Sequence, residues 1–131
     1  KTDLEKTFEW CINNYIKKIV LLGATGDRED HTIGNLFTLA KYHEKISCEV
    51  ITDYSKIICV SGKNYISTII NQDVSIIATE PIKNITVDGL QYGIRNKKIM
   101  PSTQAISNKA IRDQFYIETT GKVLVFLNHY N

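Results

Sequence analysis

Hydrophobic residues in the first third of the chain follow a helix–strand–helix–strand pattern. Apolar side chains recur every three or four positions after Thr2, and Thr2 and Glu5 have the spacing of a capping box. The unbroken run Ile19–Leu22 predicts a strand that is buried on both faces, as strands of parallel sheets are. A second helical pattern leads from it to Ser47–Thr52, the predicted parallel partner strand. The predicted apolar face of this second helix consists of Ile33, Leu36, Phe37 and Ala40.

After residue 53 the pattern changes to short β-rich runs separated by turn residues. Asp88-Gly89 and Thr120-Gly121 each precede such a run, and both predict tight hairpins. Many short strands with frequent turns are typical of a β-sandwich or jelly-roll. The predicted strands are Lys56–Val60, Tyr65–Ile70, Val74–Ala78, Ile85–Val87, Leu90–Ile94, Phe115–Glu118 and Val123–Leu127.

These patterns predict an α/β part followed by an all-β part. The first is a partial Rossmann-like parallel layer over residues 1–53, and the second is a C-terminal β-sandwich or jelly-roll over residues 54–131. No linker rich in proline, glycine or serine separates the two parts, so we expect them to pack against each other. A strand buried on both faces needs two neighbours, and the sequence offers one. We therefore expect the N-terminal part of the α/β domain to be missing from this chain or supplied by another.

Composition narrows the possible functions. The chain has 131 residues and a net charge of +2, which is too small to favour nucleic-acid binding, and its apolar runs are too short to span a membrane. Cys11, Cys48 and Cys59 have no C-x-x-C spacing, which argues against disulfides and a zinc site. These features predict a cytoplasmic protein. We interpret Trp10 and the tyrosines as core or interface residues rather than as stacking platforms.

The candidate chemistry lies in the turn that follows the first strand. This turn, Gly23–Gly26, leads directly into the second helix, where backbone N–H groups and the helix dipole favour phosphate binding. Arg28 adds a cation, and Glu29 and Asp30 add carboxylates that could bind a divalent metal. Judged from the residues alone, a tight turn without a ligand is at least as good an interpretation. Asp30 would then be the N-cap of the helix.

Two stretches resemble thiamin pyrophosphokinases. The glycine turn, the run Arg28-x-Asp30-His31 and Asn35 resemble a signature that reads roughly G-A-x-G-G-R-x-D-H-x-x-x-N. Asp27 stands where that signature often has a second glycine, and we expect its side chain to face solvent. The stretch Pro101–Asn108 resembles a second signature, G-S-T-x-x-I-S-N, most closely at Ser107-Asn108. The resemblance therefore covers the whole chain, as the later part of the catalytic domain plus the thiamin-binding β domain.

The resemblance implies that pyrophosphate is transferred from ATP to the hydroxyl of thiamin, which gives thiamin diphosphate and AMP. It implies Mg²⁺, a homodimer with shared active sites, catalytic roles for Arg28 and Asp30, and a metal-ligand role for Asp30. The implied thiamin-binding residues are Ser107 and Asn108. The implied nucleotide- and phosphate-binding residues are Asp3, Gly23, Ala24, Thr25, Gly26, Arg28, His31 and Asn35.

Some alternatives remain open in the sequence. His31 could simply pack at the start of the helix, and Asn35 could bond either the backbone or a nucleotide. Lys1-Thr2-Asp3 resembles the end of the family's run D-x-D-x-T-D, whose first two aspartates would precede Lys1 and be the principal magnesium ligands. Without those aspartates, the alternative function is a thiamin- or nucleotide-binding module that does not catalyse transfer.

Overall fold

The computed structural model describes residues 1–26, 28–103, 105 and 107–129. Asp27 is outside the described residues, and so is the prediction that its side chain faces solvent. The described part of the chain forms two helices and eight strands. In chain order these are α1 (Asp3–Asn13), β1 (Lys18–Leu22), α2 (Glu29–Lys41), β2 (Ser47–Ile51), β3 (Ser55–Ser67), β4 (Asp73–Ala78), β5 (Ile82–Asp88), β6 (Ile94–Ile99), β7 (Asn108–Lys109) and β8 (Gln114–Asn128).

The predicted start of the fold is confirmed. Thr2 is the N-cap of α1, and the Thr2 hydroxyl accepts the backbone N–H of Glu5 at 3.2 Å. The Glu5 carboxylate accepts the N–H of Thr2 in return, which completes the capping box. Strands β1 and β2 are parallel, with Ile19 opposite Cys48. The local sequence pattern was therefore sufficient to predict these elements.

One mixed sheet runs through the molecule in the order β1-β2-β3-β8-β4-β7. Strand β5 also pairs with β8, and β6 pairs with β5. Residues 123–127 of β8 pair with β4, whereas residues 116–119 pair with β5. Because β8 carries different neighbours along its two halves, the sheet encloses an apolar core on the β side.

Strands β3 and β8 are long, and each replaces two predicted short strands. They pair antiparallel from Ser55↔Asn128 to Ser67↔Gln114, with one irregularity between Val60 and Gly62. The hairpin predicted at Thr120-Gly121 is wrong, because these residues lie inside β8. A Cβ on Gly121 would come within 2.6 Å of the Ile82 side chain, so the glycine permits close packing and does not make a turn.

The two-residue hairpin predicted at Asp88-Gly89 is also wrong. Val87 of β5 pairs with Ile94 of β6, so the connection is longer. Of the predicted strand Leu90–Ile94, Leu90 forms a bridge to Ala110 and Ile94 begins β6. Gly89 has φ +108°, and a Cβ there would lie 2.9 Å from the Phe115 Cα. A glycine is needed because the chain passes directly over the backbone of β8.

Two apolar clusters form the core. One lies between the helices and the first strands and includes Phe8, Val50 and Leu124, and the other lies within the β side around Ile85 and Val125. Leu124 belongs to β8 but packs with the helices, so the two parts of the chain share core and sheet. The prediction that the two parts of the chain pack against each other is therefore confirmed. The Rossmann-like and jelly-roll descriptions and the boundary at residues 53 and 54 stay predictions.

Strand β1 is less buried than its sequence predicts. Among the described residues it pairs only with β2, and Val20 and Leu22 are 61% and 70% exposed. The predicted apolar face of α2 is half wrong. Leu36 and Ala40 pack into the core, but Ile33 and Phe37 are exposed, because only one side of α2 faces the sheet.

Few of the aromatic residues interpreted as core or interface residues lie in the core of this chain, and an interface role for the exposed ones stays a prediction. Tyr42 lies in the core next to Phe8, with ring centroids 5.4 Å apart. Trp10 and four tyrosines are largely exposed, and these tyrosines are Tyr15, Tyr54, Tyr65 and Tyr92. No helix in the described ranges is long and apolar enough to cross a membrane.

A half-buried histidine predicts how stability depends on pH. Burial and the nearby charge of Lys122 lower the pKa of His43 below its ordinary 6.5, and its Nε2 lies 3.3 Å from the Ser61 Oγ. The unfolded chain then binds a proton more readily than the folded chain. Stability should be complete above pH 6.5 and fall as the pH drops below that value. Urea unfolding between about pH 5 and 8 should show this decline, and His43→Gln should weaken it. An equal decline in the variant would contradict the assignment.

Candidate functional site

A cleft lies where three elements meet: the start of α1, the end of β1 and the first turns of α2. Its volume is about 610 Å³, within the range of small-molecule sites. It is an open surface cleft, and Leu21 and Leu22 of β1 are among the residues that line it. Of the residues predicted from the sequence for the nucleotide site, those that line it are Asp3, Gly23, Ala24, Asp30, His31 and Asn35.

Glycines give the β1–α2 turn its shape. Gly23 and Gly26 have φ of +73° and +85°, a region that costs other L-residues roughly 1–2 kcal/mol. A Cβ on either glycine would meet no atom within 4 Å, so backbone conformation and not space requires them. The turn is fixed from α2 by Asn35, whose Nδ2 donates to the Ala24 carbonyl at 2.9 Å. Asn35 therefore bonds the backbone, one of the two roles that the sequence left open.

Asp30 is not the N-cap of α2, contrary to the sequence interpretation. The N-cap is Arg28, which makes no side-chain capping bond, and the helix begins at Glu29. Asp30 is instead the second helical residue, where its negative charge still interacts favourably with the helix dipole. Its Oδ2 accepts from the Arg28 Nη2 at 2.8 Å, and its Oδ1 accepts the N–H of His31 at 2.9 Å. Both side chains of this ion pair are mostly exposed, so the carboxylate remains accessible to a ligand.

The cleft does not collect every predicted residue. Among the residues that the structure describes, its lining does not include Thr25, Gly26 or Arg28. Lys1, Thr2 and Thr7 line it, although sequence reasoning did not select them. Thr2 was interpreted only as a helix cap, and the local capping signal concealed its position beside the turn. Arg28 touches the site through its bond to Asp30.

The carboxylates of this cleft are few. Within the described ranges, no group of three or more His, Cys, Asp or Glu residues could hold a metal ion. Asp3 and Asp30 both line the cleft, one from each helix. Magnesium commonly binds through one or two carboxylates together with substrate phosphates, so this pair fits a magnesium–nucleotide complex but not a site made by protein alone.

Ser107 and Asn108 lie elsewhere in the molecule. Asn108 belongs to β7, at the opposite end of the sheet order from β1. It lines a smaller cleft of about 180 Å³ on the β side, together with Tyr92 and Lys97. Ser107 has φ +63°, and its N–H donates to the Ser75 Oγ at 2.9 Å. The structure thus separates the predicted nucleotide residues from the predicted thiamin residues within one chain.

Comparison with known proteins shows a similarity to one family. The family model described as "Thiamin pyrophosphokinase, catalytic domain" matches residues 1–52. The solved structure of thiamine pyrophosphokinase from Bacillus subtilis superposes over 100% of this chain with a TM-score of 0.86 and 26% identity. The chain is therefore similar to thiamin pyrophosphokinases, in sequence over residues 1–52 and in fold over its whole length. The enzyme of that name from Geobacillus thermodenitrificans matches similarly, over 100% of this chain with a TM-score of 0.82 and 26% identity.

The resemblance to the thiamin pyrophosphokinase family covers this chain more fully than it covers the relatives. The chain spans 65% of the length of the Bacillus subtilis protein and 62% of that of the Geobacillus protein. Thiamin pyrophosphokinase from Candida albicans has the same fold, with a TM-score of 0.77 at 22% identity over 86% of this chain and 44% of its own. No curated protein sequence matched the chain.

Proposed function

We propose that this chain is the catalytic part of a thiamin diphosphokinase, which transfers pyrophosphate from ATP to the hydroxyl of thiamin and releases AMP. The observation that carries the proposal is the convergence of Asp3, Asp30 and His31 with a glycine turn on one cleft. A cleft beyond the carboxyl end of a parallel strand and at a helix N-terminus is where α/β proteins bind phosphates. The similarity to thiamin pyrophosphokinases supplies the substrates of the proposal.

In the proposed reaction, the ATP phosphates lie against the β1–α2 turn. Backbone N–H groups of the turn and the N-terminus of α2 offset their negative charge. Arg28 reaches the transferred group with its guanidinium, while Asp30 keeps that side chain oriented through their 2.8 Å contact. Asp30 also accepts the proton of the attacking thiamin hydroxyl or binds the metal. His31 lies in the same lining and donates to a phosphate oxygen.

Magnesium fits this site with Asp3 and Asp30 as its protein ligands and ATP phosphates as the rest. When bound, it offsets the charge that builds up on the transferred group. The chain's own part is to hold two carboxylates near the phosphate turn. Thr2 fixes the start of α1, and thereby the position of Asp3, through its capping bonds with Glu5.

The proposal includes a homodimer with shared active sites. Strands β1 and β7 are five strand positions apart in the sheet order, which is roughly 24 Å along a sheet with about 4.8 Å between strands. In-line transfer needs the reacting atoms within about 3–3.5 Å. A two-fold dimer brings the β-side cleft of one subunit to the phosphate turn of the other. A cytoplasmic location is part of the proposal and agrees with three free, buried cysteines.

The test is AMP release from ATP with thiamin and Mg²⁺, measured on this chain. We expect AMP and thiamin diphosphate in equal amounts, both dependent on thiamin. Thiamin binding by calorimetry without AMP release would instead support the non-catalytic module. No binding of either substrate would remove both functions.

Replacing Asn35 tests how the turn is held. Asn35→Ala removes the bond to the Ala24 carbonyl, and it should lower the free energy of unfolding by about 1 kcal/mol and weaken ATP binding by roughly fivefold. Asn14→Ala is the matched control, because Asn14 Nδ2 donates to the Trp10 carbonyl at 2.8 Å, away from the cleft. It should lower stability similarly and leave ATP affinity unchanged. Equal ATP affinities in both variants would show that Asn35 does not position the turn.

A further inference from the structure

Lys1 lines the proposed nucleotide cleft, although the proposed reaction gives it no part. Among the residues that the structure describes, it is the one lysine or arginine in that lining, which also contains the carboxylates of Asp3 and Asp30. Lys1 also lines a second cleft of about 450 Å³, whose other lining residues come from α1 and from the end of α2 and the residues after it. The Lys1 side chain therefore lies at the boundary between the two clefts.

The Lys1 ammonium is bound to Glu9 of α1. Its Nζ donates to the Glu9 Oε1 at 2.8 Å and to the Glu9 Oε2 at 3.0 Å. The two side chains are 60% and 35% exposed, and ion pairs in contact with water are weak because solvent screens them. Glu9 lines the second cleft but not the proposed nucleotide cleft. This carboxylate therefore draws the ammonium toward the second cleft.

The charges of the proposed nucleotide cleft leave room for a further cation. The carboxylate of Asp30 is paired with Arg28 at 2.8 Å, so the positive charge of Arg28 is shared between Asp30 and a ligand. A nucleoside triphosphate carries more negative charge than one magnesium ion offsets. The N–H groups of the turn and of the α2 N-terminus supply only partial charges. A full positive charge on the α1 side of the cleft would therefore stabilise the bound phosphates, and Lys1 lies on that side.

A lysine can exchange one anionic partner for another at little cost. Its ammonium is a point charge with three donors on a flexible four-carbon stem, so it requires no fixed geometry from its acceptor. Charge-assisted hydrogen bonds to phosphate oxygens are about twice as strong as neutral ones. Glu9 would keep positive neighbours after the exchange, because Lys41 and Lys45 line the same second cleft. The weak pair with Glu9 can therefore give way to a phosphate.

We propose that Lys1 binds a phosphate of the nucleotide, and that Glu9 holds Lys1 until the nucleotide takes over its ammonium. Glu9 is then a positioning residue, because it acts through Lys1. This inference rests on the proposed function, since it takes ATP as the ligand. It adds a phosphate contact from the α1 side to those from the β1–α2 turn, so that the phosphates are held from both sides of the cleft.

Calorimetry with ATP, adenosine and thiamin tests the phosphate contact. Lys1→Gln should weaken ATP binding about tenfold, because a hydrogen bond between two charged groups is lost, and should leave adenosine and thiamin affinities unchanged. Lys1→Arg keeps the cation and should retain most of the ATP affinity. The matched control is Lys41→Gln, which also removes an exposed ion pair with a glutamate of α1, the 3.0 Å pair with Glu5, but lies outside the proposed nucleotide cleft. It should change none of the three affinities.

Glu9→Gln tests the exchange, because it should move stability and affinity in opposite directions. Loss of the ion pair should lower the free energy of unfolding slightly, whereas ATP binding should tighten roughly threefold, since Lys1 no longer has to leave a carboxylate. When Glu9→Gln is combined with Lys1→Gln, it should no longer change the ATP affinity, because its effect passes through Lys1. These measurements are made at about 0.15 M salt, which largely screens distant charges.

Three results would contradict the inference, and they are distinguishable. Full ATP affinity in Lys1→Gln would limit Lys1 to a surface ion pair and overturn the phosphate contact. Equal tightening by Glu9→Gln with and without Lys1 would reveal a general effect of charge and overturn the exchange. Both results would leave the proposed function intact. Absence of ATP binding by the unaltered chain would remove the proposed function and this inference together.

Discussion

Asp30→Asn is expected to reduce turnover at least a hundredfold while leaving the protein folded. The carboxylate lines the proposed nucleotide cleft, and asparagine has nearly the same shape without the charge. Loss of a general base or of a metal-binding charge typically costs 10²- to 10⁴-fold. The ion pair lost with Arg28 is exposed on both sides, with side-chain exposures of 69% and 62%, so its loss should cost at most about 1 kcal/mol of stability. Urea unfolding together with an AMP-release assay measures both effects.

The neighbouring carboxylate gives a matched control for Asp30→Asn. Glu29 begins α2 beside Asp30 but is not among the residues that line the cleft. Glu29→Gln removes the same charge from the same helix turn and should leave turnover within about threefold. A loss of apparent Mg²⁺ affinity in Asp30→Asn would assign it a ligand role, and a changed pH–rate profile would assign it a base role. Near-normal turnover would limit Asp30 to orienting Arg28.

The sequence predicted elements that depend on local rules. The capping box of Thr2 and Glu5 and the strand at Ile19–Leu22 each have a physical cause within a few residues, and both were found, although the strand is more exposed than predicted. The turn of the cleft belongs to this group, because positive φ at Gly23 and Gly26 is a local requirement. The same local signal selected five residues that line the cleft from this turn or the helix after it, namely Gly23, Ala24, Asp30, His31 and Asn35.

Features that depend on distant contacts were not predicted. Gly89 and Gly121 have the sequence context of hairpin turns, but the structure needs them for close contact with Phe115 and Ile82. Those neighbours are 26 and 39 positions away in the sequence, beyond any local pattern. Exposure of Phe37 likewise depends on which side of α2 meets the sheet. Sequence periodicity gives a helix face but not what covers it.

The β-side cleft shows the same limit. The pair Ser107-Asn108 was found by its resemblance to a motif, but the partner of Asn108 lies 16 positions earlier. Tyr92 has no distinctive neighbours in the sequence and was interpreted as a core or interface residue. Only the hydrogen bonds between residues 89–92 and 108–111 bring its ring to the cleft. An exposed tyrosine next to a buried amide could be recognised only in three dimensions.

Subunit mixing should restore activity to two variants that are inactive alone. Asp30→Asn removes a group from the nucleotide cleft, and Asn108→Ala disrupts the β-side cleft at the other end of the sheet order. If each active site takes one cleft from each subunit, a mixed dimer has one site with both defects and one intact site. Equal mixing then makes half of the dimers mixed, so about a quarter of all sites regain full activity. Circular dichroism must first show that Asn108→Ala is folded.

The expected signal is large because the starting activity is near zero. As the subunits exchange, activity should rise at the same rate and approach about a quarter of that of the unaltered protein. A mixture of Asp30→Asn with Asp30→Ala serves as the control and should stay inactive, because neither chain supplies an intact nucleotide cleft. An exchanged mixture that remains inactive, or an active protein that sediments as a monomer, would contradict the shared site. One chain would then have to bring its two clefts together by folding the sheet between β1 and β7, which the continuous hydrogen bonding through β2, β3, β8 and β4 opposes.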